Sequence, residues 1–204
     1  MLEGRFVHLV PLEAHHAADL YVAAARPEIW RYMPLRGFSS VGDVERWIAQ
    51  AREAAAAGLE EPFAIVKNET GTAIGSTRFM EIRPTERAVE IGWTWLAPDH
   101  QRTAANTEAK YLLLREAFDA RDYLRVAFFT DAQNGRSRAA LVRLGATYEG
   151  TLRCHRARPI NGFDRDSAAY SIIAQDWRKV SYDLERRLAR PPRFGAALIS
   201  RSGP

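Results

Sequence analysis

The spacing of apolar and polar positions changes along this chain, and the changes mark its elements. Phe6–Val10 reads as a first strand, and Glu13 to Ala25 follows a helical period with Leu20, Val22 and alanines on its inner side. Pro27 opens a short helical turn over Glu28–Tyr32, because its fixed φ suits a first helical position, and Pro34 ends it. Asp43 to Ala57 predicts a second helix, with Val44, Trp47, Ile48 and Ala51 at helical spacing and Gly58 as its stop. From Pro62 the period changes. Phe63–Lys67 and Thr72–Ile82 flank the turn Asn68-Glu69-Thr70-Gly71 as a hairpin, and a loop around Pro84 leads to a strand over Val89–Leu96.

The second half continues with a helix over roughly Ala104–Arg121, a strand Leu124–Thr130, and a short helix Ser137–Leu144 closed by Gly145. Two long strands, Thr147 to Arg158 and Phe163 to Ile173, are joined by Pro159-Ile160-Asn161-Gly162, where Asn-Gly is a hairpin signal. A last helix runs from about Gln175 to Arg190. The order β-α-α-β-β-β-α-β-α-β-β-α predicts an α+β fold, since three strands in succession after two helices do not suit a doubly wound sheet. One domain over residues 1–190 and a tail over 191–204 are expected.

Composition narrows the class. With 47% apolar and 26% charged residues the chain reads as a soluble globular protein, and no run approaches the ~20 apolar residues of a membrane span. The N-terminus has no secretory pattern, and Cys154 stands alone, so neither an intramolecular disulfide nor a cysteine-based zinc site is expected. A cytoplasmic protein without a metal is the simplest inference. The net charge of +4 leans mildly towards anionic ligands and does not establish nucleic-acid binding.

Chemistry concentrates in Val89–Lys110. A strand that feeds a helix through a short loop leaves the first helical N–H groups aimed outward, and such a terminus attracts phosphate. The connection Gln101-Arg102-Thr103-Ala104-Ala105-Asn106-Thr107 contains no carboxylate, and Arg102 adds a positive charge.

These residues carry a resemblance. The strand Glu90-Ile91-Gly92-Trp93 with its Pro-containing break, the loop Gln101–Asn106 in the place of a Q/R-x-x-G-x-G/A pyrophosphate loop, Asn134-Gly135-Arg136-Ser137 as an N-x-x-S, and Leu144-Gly145-Ala146 before a strand resemble the GNAT acyltransferases, in particular the RimJ/RimL branch that acetylates ribosomal-protein N-termini. The resemblance covers roughly Leu2 to Arg190. It implies a single mixed, mostly antiparallel sheet flanked by helices. Two positions depart from the pattern: Ala104 stands where Gly is usual, and Asn106 where Gly or Ala is usual. Ala104 has to manage with ordinary backbone angles, whereas Asn106 tolerates a left-handed one.

The resemblance implies acetyl-CoA as acyl donor and a primary amine as acceptor, either a small molecule or a protein N-terminus, with a homodimer as an option. By the same resemblance Gln101, Arg102, Thr103, Ala104, Ala105, Asn106 and Thr107 hold the diphosphate, while Leu96, Ala97 and Asn134 hold the pantetheine arm. Asn134 also suits a helix N-cap on its own account. Glu90 is the candidate base and Ser137 the group nearest the departing sulfur. Glu108 is the second carboxylate to consider, although a first-turn acid answering the helix dipole explains it as well. Tyr123, Tyr148 and Tyr170 are further candidate acids. The basic run Arg153-Cys154-His155-Arg156-Ala157-Arg158, with Arg165 opposite, suits either an acidic acceptor or acyl group, or a solvated hairpin face. His15 and His16 are expected at the surface, and Trp30, Tyr32, Met33 and Phe38 either line an acceptor pocket or pack. The competing class is a non-catalytic acyl-CoA-binding or interaction module on the same fold.

Overall fold

The computed structural model describes residues 1–156 and 164–189. Among these, eight strands form one sheet in the order β1-β2-β3-β4-β5-β6-β8-β7. In chain order they are β1 (Leu2–Glu3), β2 (Val7–Pro11), β3 (Glu60–Lys67), β4 (Ala73–Arg83), β5 (Ala88–Leu96), β6 (Arg125–Asp131), β7 (Thr147–Arg156) and β8 (Arg165–Ile173). The helices are α1 (Ala17–Ala23), α2 (Val41–Ala56), α3 (Ala104–Arg115), α4 (Gly135–Leu144) and α5 (Ala174–Leu188). This is the α+β, mostly antiparallel sheet expected from the sequence. The exception is the parallel pair β5–β6.

Helices cover both faces of the sheet. On one face α3, α4 and α5 enclose a core of Leu9, Ile65, Phe79, Val89, Ile91, Leu113, Phe128, Ile172 and Leu184. On the other, α1 and α2 pack Leu20, Trp30, Val44, Trp47 and Ile48 against Ala64, Val66 and Trp95. Double cover explains why β4 is buried from Ala73 through Met80 without alternation. β7 lies at the sheet's end and is mostly exposed, with arginines along it that discourage edge pairing.

Local chemistry sets several boundaries. Helix α2 begins at Val41, ahead of the expected Asp43, because Ser40 and Asp43 form a reciprocal capping box. Gly145 ends α4 at a φ of 99°, where a Cβ would also crowd Val180. The predicted Glu13–Ala25 helix starts as a 3-10 turn over Ala14–His16. Its His16 is buried, against expectation, and its Nδ1 accepts the Glu13 N–H at 3.1 Å. The third helix keeps α geometry only to Arg115 and widens into a π turn over Glu116–Ala120. No helix among the described residues is long and apolar enough to cross a membrane. The expected hairpin turn 159–162 and the tail 191–204 lie outside the described residues.

Candidate active site

The site begins where β5 and β6 part. Their parallel pairing covers only Ala88–Glu90 against Arg125–Ala127, yet β5 runs on to Leu96 and β6 to Asp131. Beyond Glu90 the strands open into a fork, as a parallel pair does when one strand turns towards a different neighbour. β5 stays with β4, and β6 stays with β8.

Glu90 sits at the base of this fork. Val89 and Ile91 face the α3 core, so Glu90 points to the opposite face. It is 4% exposed, and Gly92 leaves room for its carboxylate, because a Cβ there would lie 3.1 Å from Oε1. Burial pushes the Glu90 carboxyl up to about 6, against the opposing pull of Arg156. The Arg156 guanidinium, from the end of β7, donates to Glu90 Oε2 at 3.2 Å. One arginine of the basic hairpin therefore reaches the fork. His155 packs its ring on Phe129 at 5.0 Å, and burial lowers its pKa, aided by Arg156 and Arg165.

A residue that sequence reasoning passed over occupies the α3 side of the fork. Lys110 is 7% exposed, and its Nζ donates to Thr94 Oγ1 at 2.5 Å while lying 5.7 Å from the Phe128 ring centre. Thr94 in turn bonds Thr77 at 2.8 Å. Burial drives the Lys110 ammonium down to about 7, with Glu90 drawing it partly back. A signal was present: Lys110 lies three and four residues before Leu113 and Leu114, in step with the apolar stripe.

The loop after β5 forms the expected helix terminus. Arg102 takes the left-handed conformation (φ 63°) and Thr103 is the N-cap of α3, its Oγ1 accepting the Ala105 N–H at 3.2 Å. Ala104 and Asn106 are helical, so the two departures from the glycine pattern cost nothing in backbone angle. The terminus leaves the amides of Thr103, Ala104 and Asn106 as orphans, that of Ala105 being taken by the Thr103 hydroxyl, and Thr107 is the first to join the helical ladder. Gln101 braces the loop: its Nε2 donates to the Leu96 carbonyl at 2.8 Å and its Oε1 accepts from Arg136 at 2.9 Å. The Ala97 amide is committed to the Ile74 carbonyl at 2.9 Å, on the β4 side. Of the two residues expected at the pantetheine arm, Ala97 thus has its amide, and Leu96 its carbonyl, engaged within the protein.

On the other arm, Asn134 is the N-cap of α4, with Oδ1 accepting the Ser137 amide at 3.0 Å. Both remain partly exposed, at the helix mouth. Glu108 does not join this group. Its carboxylate accepts the amides of Arg5, Phe6 and Val7 at 2.8, 2.6 and 2.8 Å, which ties α3 to the N-terminal strands. Of the tyrosines, Tyr170 is buried and receives Arg138 at 3.3 Å, Tyr148 bonds Thr151, and Tyr123 packs in the core. Trp30 packs too, its Nε1 donating to the Ala24 carbonyl at 2.9 Å and its ring meeting Phe38 and Trp95.

A forked sheet, a carboxylate-free helix terminus at its mouth and a buried carboxylate at its base thus come together in one place. The donors at the mouth suit a diphosphate, and the unpaired edge of β5 suits an amide-bearing arm.

Comparison with known proteins agrees. Residues 7–147 match the family described as Acetyltransferase (GNAT) domain, and the chain belongs to that family. That family is one of acetyltransferases, which use acetyl-CoA. It is 29% identical over 107 residues to "Putative ribosomal N-acetyltransferase YdaF" of Bacillus subtilis (strain 168); the match spans 52% of this chain and 57% of that protein. A GCN5-related N-acetyltransferase from Brucella melitensis superposes with a TM-score of 0.86 at 28% identity, covering 92% of this chain and 85% of that one. Mycobacterium smegmatis RimJ, solved with CoA-disulfide, shares the fold at a TM-score of 0.76 and 22% identity, covering 89% of this chain and 88% of that one. The ribosomal name of the Bacillus subtilis relative agrees with the RimJ/RimL resemblance of the sequence.

Proposed function

We propose that this protein transfers an acetyl group from acetyl-CoA to the primary amine of an acceptor, a protein N-terminus or a small amine, by direct attack within a ternary complex in the cytoplasm. The observation that carries the reading is Glu90, a buried carboxylate raised towards neutrality at the point where β5 and β6 part. Acetyl-CoA supplies the thioester carbonyl that an amine can attack. Amides of Thr103, Ala104 and Asn106, with Gln101, Arg102 and Ala105 beside them, bind the diphosphate; Thr107 supports them from within the helix. The backbone of Leu96, and Asn134 across the fork, orient the arm. Glu90 accepts the acceptor's ammonium proton, directly or through water, and the Ser137 hydroxyl donates towards the leaving sulfur.

The test is release of free thiol from acetyl-CoA across an amine and peptide panel. Glu90→Gln should reduce turnover by about 10²-fold or more. Turnover within a few-fold of the parent would remove Glu90 from the role. Thermal stabilisation by acetyl-CoA with no thiol release on any amine would support a binding module instead, and no stabilisation at millimolar acetyl-CoA would count against both readings.

A further inference from the structure

On the α2 face of the sheet, beside Glu90, three donors are buried without partners. Arg78, on β4, is 5% exposed; its Nη1 donates to Glu60 at 2.5 Å, while its Nε and Nη2 have no hydrogen-bond partner. The indole Nε1 of Trp95, itself 4% exposed, is likewise unpartnered. Buried donors left unsatisfied are costly, so native proteins leave few of them without a reason. Here they share one neighbourhood. The Arg78 guanidinium lies 5.5 Å from the Trp47 ring centre and 4.7 Å from that of Trp93, and the Trp47 ring lies 6.3 Å from that of Trp95.

The β5 backbone makes this arrangement. Ser76 pairs with Trp95 and Arg78 with Gly92, so Thr77 faces two residues, Trp93 and Thr94. The extra residue is a bulge, with Trp93 at a φ of 49°, and it lays the Trp93 indole over Arg78. Met80 pairs with Glu90, so Arg78 and Glu90 share a face two pairs apart, about 7 Å along the strands.

The two unpartnered nitrogens of Arg78 have a particular geometry. Nε and Nη2 form the side edge of the guanidinium, where two N–H bonds run parallel and match the two oxygens of a carboxylate. Glu60 occupies the remaining nitrogen and leaves that edge without a partner.

We infer that Arg78 and Trp95 form a carboxylate-binding subsite for the acceptor, which selects amines that carry a carboxylate a few bonds from the amino group. The subsite rests on the acyl-transfer reading above and names the acceptor class for it. An amine at Glu90 and a carboxylate at Arg78 form one zwitterionic ligand, which leaves the charge of the site unchanged. Trp47 and Trp93 hold the guanidinium in place.

The test uses two acceptor pairs on the full-length protein: L-phenylalanine against phenethylamine, and the amidated peptides Ser-Glu-Ala and Ser-Gln-Ala. Thiol release gives kcat and KM, and calorimetric titration of the CoA-saturated protein gives affinity whether or not turnover occurs. In at least one pair the carboxylate-bearing member should bind about tenfold tighter, with the difference in KM and little in kcat. Preference within the first pair identifies a free amino acid as the source, and within the second an acidic protein N-terminus. Arg78→Lys keeps a cation for Glu60 but lacks the side edge. It should reduce the preference to within about twofold, while the affinity for CoA stays at the parent value. Should that variant fail to fold, Trp95→Phe removes a single donor and should weaken the carboxylate-bearing member alone. Equal binding within both pairs, or a preference that survives Arg78→Lys, overturns the subsite and assigns the donors to ordered water. Absence of thiol release with any acceptor would count against the transferase reading, and the titration would still decide the subsite.

Discussion

Arg156 on the edge strand β7 donates to Glu90 on β5 across two intervening strands, at 3.2 Å. The pair links the hairpin at the sheet's end to the base of the fork, and under the proposed function it should set the acid side of activity. Burial raises the Glu90 carboxyl to about 6 and Arg156 holds it from going higher. A base acts only when deprotonated, so kcat/KM should fall below about pH 6. Arg156→Met removes the lowering influence and should move that limb to higher pH, while Glu90→Gln should abolish it. A kcat/KM profile from pH 5 to 8.5 for the three proteins checks this; an unmoved limb in Arg156→Met would uncouple the pair.

Lys110 should make stability depend on pH in an unusual sense. Its pKa falls from 10.5 to about 7 on folding, so between these values the unfolded chain holds the extra proton and stability rises with pH. Glu90 acts in the opposite window. Its carboxyl rises from 4.5 to about 6, so the folded state holds the extra proton there and stability falls as pH rises through that range. The two groups together place a minimum between about pH 6 and 7. Lys110→Met should raise Tm most near and below pH 7, with the gain fading towards pH 10, as thermal melts across pH 6–10 would record. A gain that does not vary with pH would mean packing, not charge, sets the difference.

Glu108→Ala should cost stability and leave the chemistry alone. Three backbone amides lose their carboxylate acceptor, a loss of roughly 2–3 kcal/mol. Denaturant melts should register it, and the pH profile of kcat/KM should keep the parent's shape. A lost acid limb in this variant would bring Glu108 back as a base.

Arg102→Gly should have two effects of opposite sign. Arg102 is left-handed at φ 63°, where glycine is free of strain, so stability should rise by about 1 kcal/mol. The change also deletes a cation beside the α3 terminus and should weaken CoA binding several-fold. Tm and CoA affinity measured on the same preparation separate the two effects; unaltered CoA affinity would place the arginine outside the diphosphate contact.

Much of the architecture was legible in the chain because local signals agreed with the fold. The Asn134 cap, Gly145 at a left-handed C-terminus, the hairpin turn at Asn68–Gly71 and the strand–loop–helix at Leu96–Ala104 each follow from short-range chemistry. The sequence also pointed to Glu90, since alternation sets it opposite Val89 and Ile91. It misjudged His16, whose burial comes from a turn that its own ring closes.

The rest depended on contacts far apart in the chain. Nothing near Glu108 in sequence announces the amides of Arg5, Phe6 and Val7, about a hundred positions away. Lys110 reads as one more surface lysine until Thr94 and Phe128 close around it, and Arg78 as an ordinary strand arginine until Trp47 and Trp93 cover it. The sequence by itself determined the order of elements and the helix terminus fit for an anion, because caps, turns and periodicity act within a few residues. Only the tertiary structure decided which charges lie in the fork and what their pKa values become, because burial is a property of the whole fold, and burial is what moves them.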